Sequence, residues 1–262
     1  MDIRKMSMER ITLIAVFLIG LALQTIAQVN QKDAQGRKQG PWVKKYPNSS
    51  VIMYEGTFKN DKPVGTFTYK YPSNKLKAII KHDENSNRSE AFYYYENGKL
   101  MSHGIYRNMK KDSIWVSYNE DGRITMTETY KNDLLNGEKK MYYLPSDPSD
   151  KSEIVISIYN YVDGKVDGKF IEYYPNKVTR KVGQYKNFKP HGEWIYYELD
   201  GKKMSVEHYR DGKMHGWFIG YNKNGSEGQK RYFHFGREVK GEELTKLLQQ
   251  MKEKGINPNG GD

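Results

Sequence analysis

A module of about 24 residues recurs along most of this chain, and a chain built that way folds by stacking neighbours rather than around one central core. With Gly192 as the origin of its unit, Trp194 follows at +2, Tyr196 and Tyr197 at +4 and +5, and an Asp-Gly-Lys turn shortly after. The spacing returns in GPWVKKYPN from Gly40, GTFTYKYPSNK from Gly65, GEKKMYY from Gly137, GKFIEYYPNK from Gly168 and GWFIGYNKNG from Gly216. EAFYYYENGK from Glu90 and SIWVSYNEDGR from Ser113 fill the two remaining places without the glycine. The eight origins lie 25, 25, 23, 24, 31, 24 and 24 residues apart, and the long interval holds LPSDPSDKSE at 144–153, a surface loop insertion.

Each unit reads as two short strands. GEWIYYE alternates well enough for one, with the paired tyrosines sending one ring to each face. ENGK, EDGR, LDGK and KNGS supply Asn-Gly and Asp-Gly pairs that favour tight hairpin turns. The second strand carries an aromatic seven residues before the next origin, at Phe58, Tyr106, Tyr130, Tyr161, Tyr185 and Tyr209, and ends at a KN or RD turn signal; the third unit puts Asp83 there. The pattern predicts an all-β fold: an elongated antiparallel meander over 35–241 with about sixteen strands, spanning roughly 75 Å at ~4.8 Å per strand. Composition agrees. Only 37% of residues are hydrophobic, yet 22 are tyrosines, whose polar-tipped rings suit half-exposed surfaces. EELTKLLQQMKEKG at 242–255 sets Leu244, Leu247, Leu248 and Met251 on one helical face, a short helix expected to cap the last strand edge or to recognise a partner. The tail 256–262 is expected to be disordered, and 28–34 to be a linker.

YEGTFKNDKPVGTFTYKY at 54–71 resembles a MORN repeat, whose core reads Y-E-G-x-x-x-x-G-x-x-x-G. The other units are similar to the MORN variant of bacterial proteins of the YwqK-like "antitoxin" group: G-x-W-x-x-Y-Y, then N-G-K, then Y-K-N-G-K-x-x-G. The resemblance covers roughly 35–241. It implies a β-repeat fold and a role in binding membrane lipids or proteins, in scaffolding, or in neutralising a toxin.

MDIRKMSMER, with Arg4, Lys5 and Arg10, precedes an apolar run from Ile11 to Leu23, and Thr25 and Ala27 stand at −3 and −1 of a cut before Gln28. This reads as a Sec-type signal peptide over 1–27, predicting a periplasmic or secreted protein, with a retained membrane anchor as the alternative. After cleavage 40 basic residues face 30 acidic ones, a charge of +10. That balance favours an anionic lipid headgroup, an acidic glycan or an acidic protein; export argues against nucleic acid. The absence of cysteine excludes disulfides, Cys zinc sites, a Cys nucleophile and a lipoprotein anchor.

Residues that resemble catalytic groups fall in replaceable slots. His191-Gly-Glu193 matches half of a zinc deaminase signature whose P-C-x-x-C half cannot exist here. The slot of His191 holds Gln39, Val64, Ser89, Asp112, Asn136, Asp167 and His215 elsewhere, and that of Glu193 holds Pro41, Thr66, Ala91, Ile114, Glu138, Lys169 and Trp217. Asp147, Asp150 and Glu153 lack the EF-hand spacing and glycine. The expectation is a non-enzymatic binding protein with no cofactor, no metal and no small-molecule substrate. Two surfaces are candidates. A basic edge would carry Lys59, Lys62, Arg107, Lys110, Lys131, Lys165, Lys186, Lys189, Arg210 and Lys213, while Lys75, Lys99, Arg123, Lys177 and Lys202 make the opposite edge basic too. An aromatic face would carry Trp42, Phe67, Phe92, Trp115, Phe170, Trp194 and Phe218.

Overall fold

Two kinds of turn alternate along the chain. Asn60-Asp61, Asn108-Met109, Asn132-Asp133, Asp163-Gly164, Asn187-Phe188, Asp211-Gly212 and Phe235-Gly236 hold both residues at positive φ. That is the type I′ geometry, whose twist matches that of the flanking strands. At the opposite edge each turn has a single left-handed residue, a glycine at Gly98, Gly122, Gly201 and Gly225 and otherwise Asn48, Asn74 or Lys177. There Tyr95 N donates to Lys99 O at 2.9 Å and Gly98 N to Tyr95 O at 2.9 Å, a three-residue loop closed by a glycine bulge. The tightest turns therefore lie not at ENGK, EDGR, LDGK and KNGS but at the other edge, where Asn, Asp and Gly take most of the left-handed places, two of the turns being the Asp-Gly pairs Asp163-Gly164 and Asp211-Gly212.

The computed structural model describes residues 28–147, 150 and 152–260; the leader expected over 1–27 lies outside them. The strands are β1 (Gln31–Lys32), β2 (Lys38–Lys45), β3 (Ile52–Lys59), β4 (Lys62–Lys70), β5 (Leu76–His82), β6 (Arg88–Tyr94), β7 (Leu100–Arg107), β8 (Lys110–Tyr118), β9 (Ile124–Lys131) and β10 (Leu134–Tyr142). After the insertion come β11 (Val155–Val162), β12 (Lys165–Tyr173), β13 (Thr179–Lys186), β14 (Lys189–Tyr197), β15 (Lys203–Arg210), β16 (Lys213–Met214), β17 (Gly216–Tyr221), β18 (Glu227–His234) and β19 (Arg237–Val239), and then helix α1 (Gly241–Glu253). Among the described residues the strands pair antiparallel in succession, β16 and β17 both with β15, in an open meander of 19 strands. The strand count exceeds the expected sixteen for three reasons. β1 forms from the expected linker, β16 and β17 are one strand broken at His215 and both paired to β15, and β19 follows the last unit.

The unit origin is a wide bulge. In β13–β14, Val182 pairs with Ile195 and Gln184 with His191, so Gly183 alone faces Gly192, Glu193 and Trp194. Gly192 takes φ +65°, and the bulge lays Trp194 over Gly183, where an added Cβ would fall inside the indole ring. Gly56 seats Phe67 and Gly104 seats Trp115 in the same way. Elsewhere the seat and its occupant change together. Tyr159 meets Phe170 with ring centroids 4.7 Å apart, and Glu128 meets Lys139 at 2.9 Å. The seated rings are among the most buried large side chains of the array, at 1–3% exposure for Phe67, Trp115, Phe170 and Trp194. The aromatic of the preceding strand packs edge-on against three of them, in Phe58–Phe67 (5.1 Å), Tyr106–Trp115 (5.0 Å) and Tyr185–Trp194 (5.1 Å). Such pairs add about 0.5–1.5 kcal/mol beyond burial.

The third unit differs. Its pairing runs without a bulge, from Ala78↔Tyr93 to His82↔Ser89, and the two residues spent on a bulge elsewhere lengthen the loop between Asp83 and Arg88. Its structural origin is thus Ser89, one residue before Glu90. The interval from Gly65 and the interval to Ser113 both become 24. His82, not Asp83, holds the aromatic position, 5.3 Å from Phe67 and edge-on. Because strand faces alternate with period two, the one-residue correction moves Phe92 to the opposite face and puts Ala91 in the ring slot.

Hydrogen bonds join neighbouring units at both edges. Tyr46, Tyr71, Tyr95 and Tyr174 donate their hydroxyls to the carbonyls of Lys70, Tyr94, Tyr118 and Tyr197 at 2.7–2.9 Å. At the other edge Asp61 accepts from Lys38 N at 2.8 Å, while Asp61 N donates to Lys38 O at 3.1 Å. At the C-terminus Tyr232, Val239 and Met251 form a buried cluster with Trp217, Leu244, Leu247 and Leu248, so α1 covers the last strands. The tail is not disordered over 256–260. Tyr232 donates to Pro258 O at 2.9 Å, Trp217 N donates to Asn259 Oδ1 at 3.1 Å, and His215 is 1% exposed beside Gly260.

Two predictions follow from this packing. Gly183→Ala destabilises by about 1–3 kcal/mol, because the new methyl must displace Trp194; urea unfolding of the variant against wild type measures it. The second concerns pH. Desolvation holds the His215 imidazole below its ordinary pKa, with His234 and Arg210 adding to the effect, and desolvation lowers His82 as well. The folded state therefore disfavours their protonation. Their contribution is complete above the unfolded value of about 6.5 and is lost as pH falls below it. The thermal midpoint should drop between about pH 7 and pH 5, and drop less in His215→Phe.

Candidate functional site

The type I′ turns gather the predicted basic residues in pairs. Lys59 pairs across the hairpin with Lys62, Arg107 with Lys110, Lys186 with Lys189 and Arg210 with Lys213. Lys131 faces Leu134 and Lys165 faces Val162. All ten cations therefore lie along one edge, exposed except for Arg210, which is half-buried with its guanidinium 6.0 Å from the Phe235 ring. Carboxylates stand between them, but much of their bonding goes to the backbone of neighbouring units. Asp133 accepts from Lys111 N at 2.6 Å and Asp167 from Asn187 N at 3.0 Å. Arg107 has a partial counter-ion in Asp112 at 3.5 Å. The opposite edge is basic in composition, but some of its cations hold structure. Arg123 donates to Pro145 O at 2.7 Å, which fastens the insertion, and Lys202 donates to Lys223 O at 3.3 Å.

The predicted aromatic face is not a surface. Phe67, Trp115, Phe170 and Trp194 are core residues, enclosed by the bulge and by neighbouring rings. Phe92 lies on the other face, 6.0 Å from His103 and with Lys81 Nζ 5.7 Å from its ring. Trp42 and Phe218 remain half-exposed, beneath Lys38 (5.0 Å) and Arg231 (4.6 Å) respectively.

The residues that mimic a catalytic site take ordinary sheet positions. Glu193 pairs in register with His208, their side chains 3.6 Å apart, and His208 Nδ1 lies 2.8 Å from Trp217 O. Asp150 accepts from Ser152 N at 2.8 Å within its own loop. Among the described residues no group of three or more His, Asp or Glu side chains is placed to hold a metal ion.

An open trough of about 500 Å³ lies on the aromatic side of the sheet above β3–β7, and sequence reasoning missed it. Phe58, Phe67 and Tyr69 wall one side, Tyr93 and Tyr106 the other, with Met109 at the mouth. Its floor is small. Ser89 lines it, and Ala78 and Ala91 stand in the same register rows at 2% and 0% exposure. His82 Nδ1 lies 2.8 Å from Ser89 Oγ, and the Tyr93 and Tyr106 hydroxyls are 3.0 Å apart. Desolvation raises the Tyr93 phenol well above its ordinary pKa, assisted by the bond to Tyr106, and desolvation lowers His82. The signal for the trough was present in the sequence as Ala91, the one small apolar residue in the ring slot, but only with Ser89 as the origin.

Comparison with known proteins agrees with the repeat. The model of the MORN repeat variant matches residues 89–108, 166–187 and 190–211. No curated protein matches the chain. Among solved structures, a chain of the Tc holotoxin pore of Photorhabdus luminescens, carrying the TccC3-D651A mutation, aligns at 11% identity with a TM-score of 0.16. The alignment covers 78% of this chain and 11% of that one. The three segments matched by the MORN variant model correspond to the hairpins β6–β7, β12–β13 and β14–β15, one unit each.

Proposed function

We propose that this chain is a non-enzymatic binding scaffold of the cell envelope, holding an acidic protein along the edge of type I′ turns. The observation that carries this reading is the like-charge pairing of Lys59 with Lys62, Arg107 with Lys110, Lys186 with Lys189 and Arg210 with Lys213. Like charges directly opposite each other destabilise a hairpin. Leu134 opposite Lys131 and Val162 opposite Lys165 are compatible with the same turn, so the fold does not demand the pairing. Successive hairpins lie about 10 Å apart, close to the Debye length at physiological salt, and their fields overlap along the edge. The envelope location rests on the leader-like residues 1–27.

Polyglutamate is the direct probe of the charge requirement. The chain should bind it at about 50 mM NaCl and about tenfold more weakly at about 300 mM. Replacing Lys186, Lys189, Arg210 and Lys213 by glutamine should remove most of that binding. An absence of binding at low salt overturns the proposal, and anionic vesicles binding in place of polyglutamate would reassign the edge to a membrane surface. Hydrolytic or transfer turnover that disappears in a folded His191→Ala variant would overturn the non-enzymatic reading.

A further inference from the structure

The last unit holds a buried histidine beneath the chain's own tail. His215 interrupts the strand between β16 and β17, and its main-chain N–H donates to His208 O at 2.8 Å. The ring is enclosed by Phe235, with centroids 4.4 Å apart, by His234 at 5.0 Å, and by the tail. Gly260 closes the site: a Cβ added to it would fall 2.9 Å from His215 Cδ2 and 3.6 Å from Nε2. That Nε2 is buried and has no hydrogen-bond partner among the described residues. The tail is fastened to the sheet by Trp217 N, which donates to Asn259 Oδ1 at 3.1 Å, and by the Tyr232 hydroxyl, which donates to Pro258 O at 2.9 Å. We propose that residues 256–260 form a strap over His215 that protonation of this ring releases, uncovering the main-chain N–H of Trp217 and the hydroxyl of Tyr232.

Hydrogen bonding and charge both make the strap sensitive to a single proton. Phe235 N donates to His215 Nδ1 at 3.4 Å, so that nitrogen is the acceptor and the neutral ring carries its proton on Nε2. Protonation sets a donor at Nδ1 against the Phe235 donor, and it charges a ring whose other nitrogen has no acceptor. The surrounding elements do not compensate. β15 carries Arg210 and His208, with His208 Nδ1 2.8 Å from Trp217 O and Nε2 3.6 Å from Glu193. β16 adds Lys213, in register with Arg210, and β18 adds His234. On α1, Glu243 faces His234 but is bonded through both carboxylate oxygens by Arg237. The strap itself has no titratable side chain over 256–260. Burial, with His234 and Arg210 adding to it, accordingly holds the His215 imidazole below its ordinary pKa. Lifting Gly260 opens Nε2 to water, so release and protonation favour each other. The strap is therefore held above the ordinary imidazole value of about 6.5 and weakened as pH falls below it.

The test is hydrogen exchange of the Trp217 amide, followed by NMR on the full chain, with each rate divided by that of an unprotected amide at the same pH. Uptake of one proton on release predicts protection about tenfold lower at about pH 5.5 than at about pH 7.5. The amides of β13, which carries no histidine, should keep theirs. In His215→Phe the protection of Trp217 should be the same at both pH values. Constant protection in wild type, a fall that β13 shares, or a fall that persists in folded His215→Phe overturns the proposal. A second variant leaves the ring in place. Asn259→Ala removes the strap's acceptor for Trp217, and reciprocity then requires the titration of His215, read from its ring-proton shifts, to move up toward the ordinary value. An unchanged titration in that variant also overturns the proposal.

Discussion

The array depends on one local contact: the side chain two residues past each unit's origin must be received by the residue opposite it on the preceding strand. A ring needs a glycine or another ring beneath it, as at Phe67 over Gly56, Trp194 over Gly183 and Phe170 against Tyr159. A lysine needs a carboxylate, as at Lys139 and Glu128. The contact explains how a sheet with little aliphatic core holds together. The bulge folds a large side chain flat onto its own hairpin, and the next aromatic closes over its edge. The left-handed residue at the bulge is part of the same constraint. Ser113 occupies it at φ 60°, at a cost of about 1–2 kcal/mol that glycine avoids elsewhere.

Where the bulge is missing, the contact is missing too. The third unit moves two residues from the bulge into the Asp83–Arg88 loop, and no ring can then be laid over β5. Ile80 and Ala91 face each other in place of seat and occupant, and the trough is the space left behind. The distinctive surface of this chain thus arises from an irregularity in its repeat rather than from the repeat itself. The units on either side supply the walls.

Much of this was legible in the sequence. The period, the strands, the turn positions and the cationic edge all follow from spacing, because each unit repeats the same local chemistry. The seats were not legible as seats. Gly56, Gly104 and Gly183 look like interruptions of a strand until register places them under a ring. The third unit was read one residue out of phase because Phe92, Tyr93, Tyr94 and Tyr95 are consecutive rings, and any of several phases satisfies an aromatic pattern. Aligning Tyr95 with Tyr46, Tyr71 and Tyr174, the tyrosines that donate to the next unit, selects Ser89 and brings His82 into the aromatic column. The docked tail was missed because Asn257, Pro258 and Asn259 have loop character, and only tertiary contact with Trp217 and Tyr232 orders them.

The tyrosine hydroxyl bonds between units also bear on how the array comes apart. In a solenoid-like chain cooperativity is carried by nearest-neighbour coupling, and it breaks where that coupling is thinnest. Asn119 replaces the donor tyrosine in the fourth unit and spends its side chain on its own turn, accepting from Asp121 N and Arg123 N. The fifth unit seats Lys139 instead of a ring, and the insertion at 144–153 follows. These three features fall in succession, and they set a block of units before the insertion apart from a block after it. The trough belongs wholly to the first block and the Lys186–Lys213 cations to the second. Loss of order in one block can therefore silence one surface while the other remains intact.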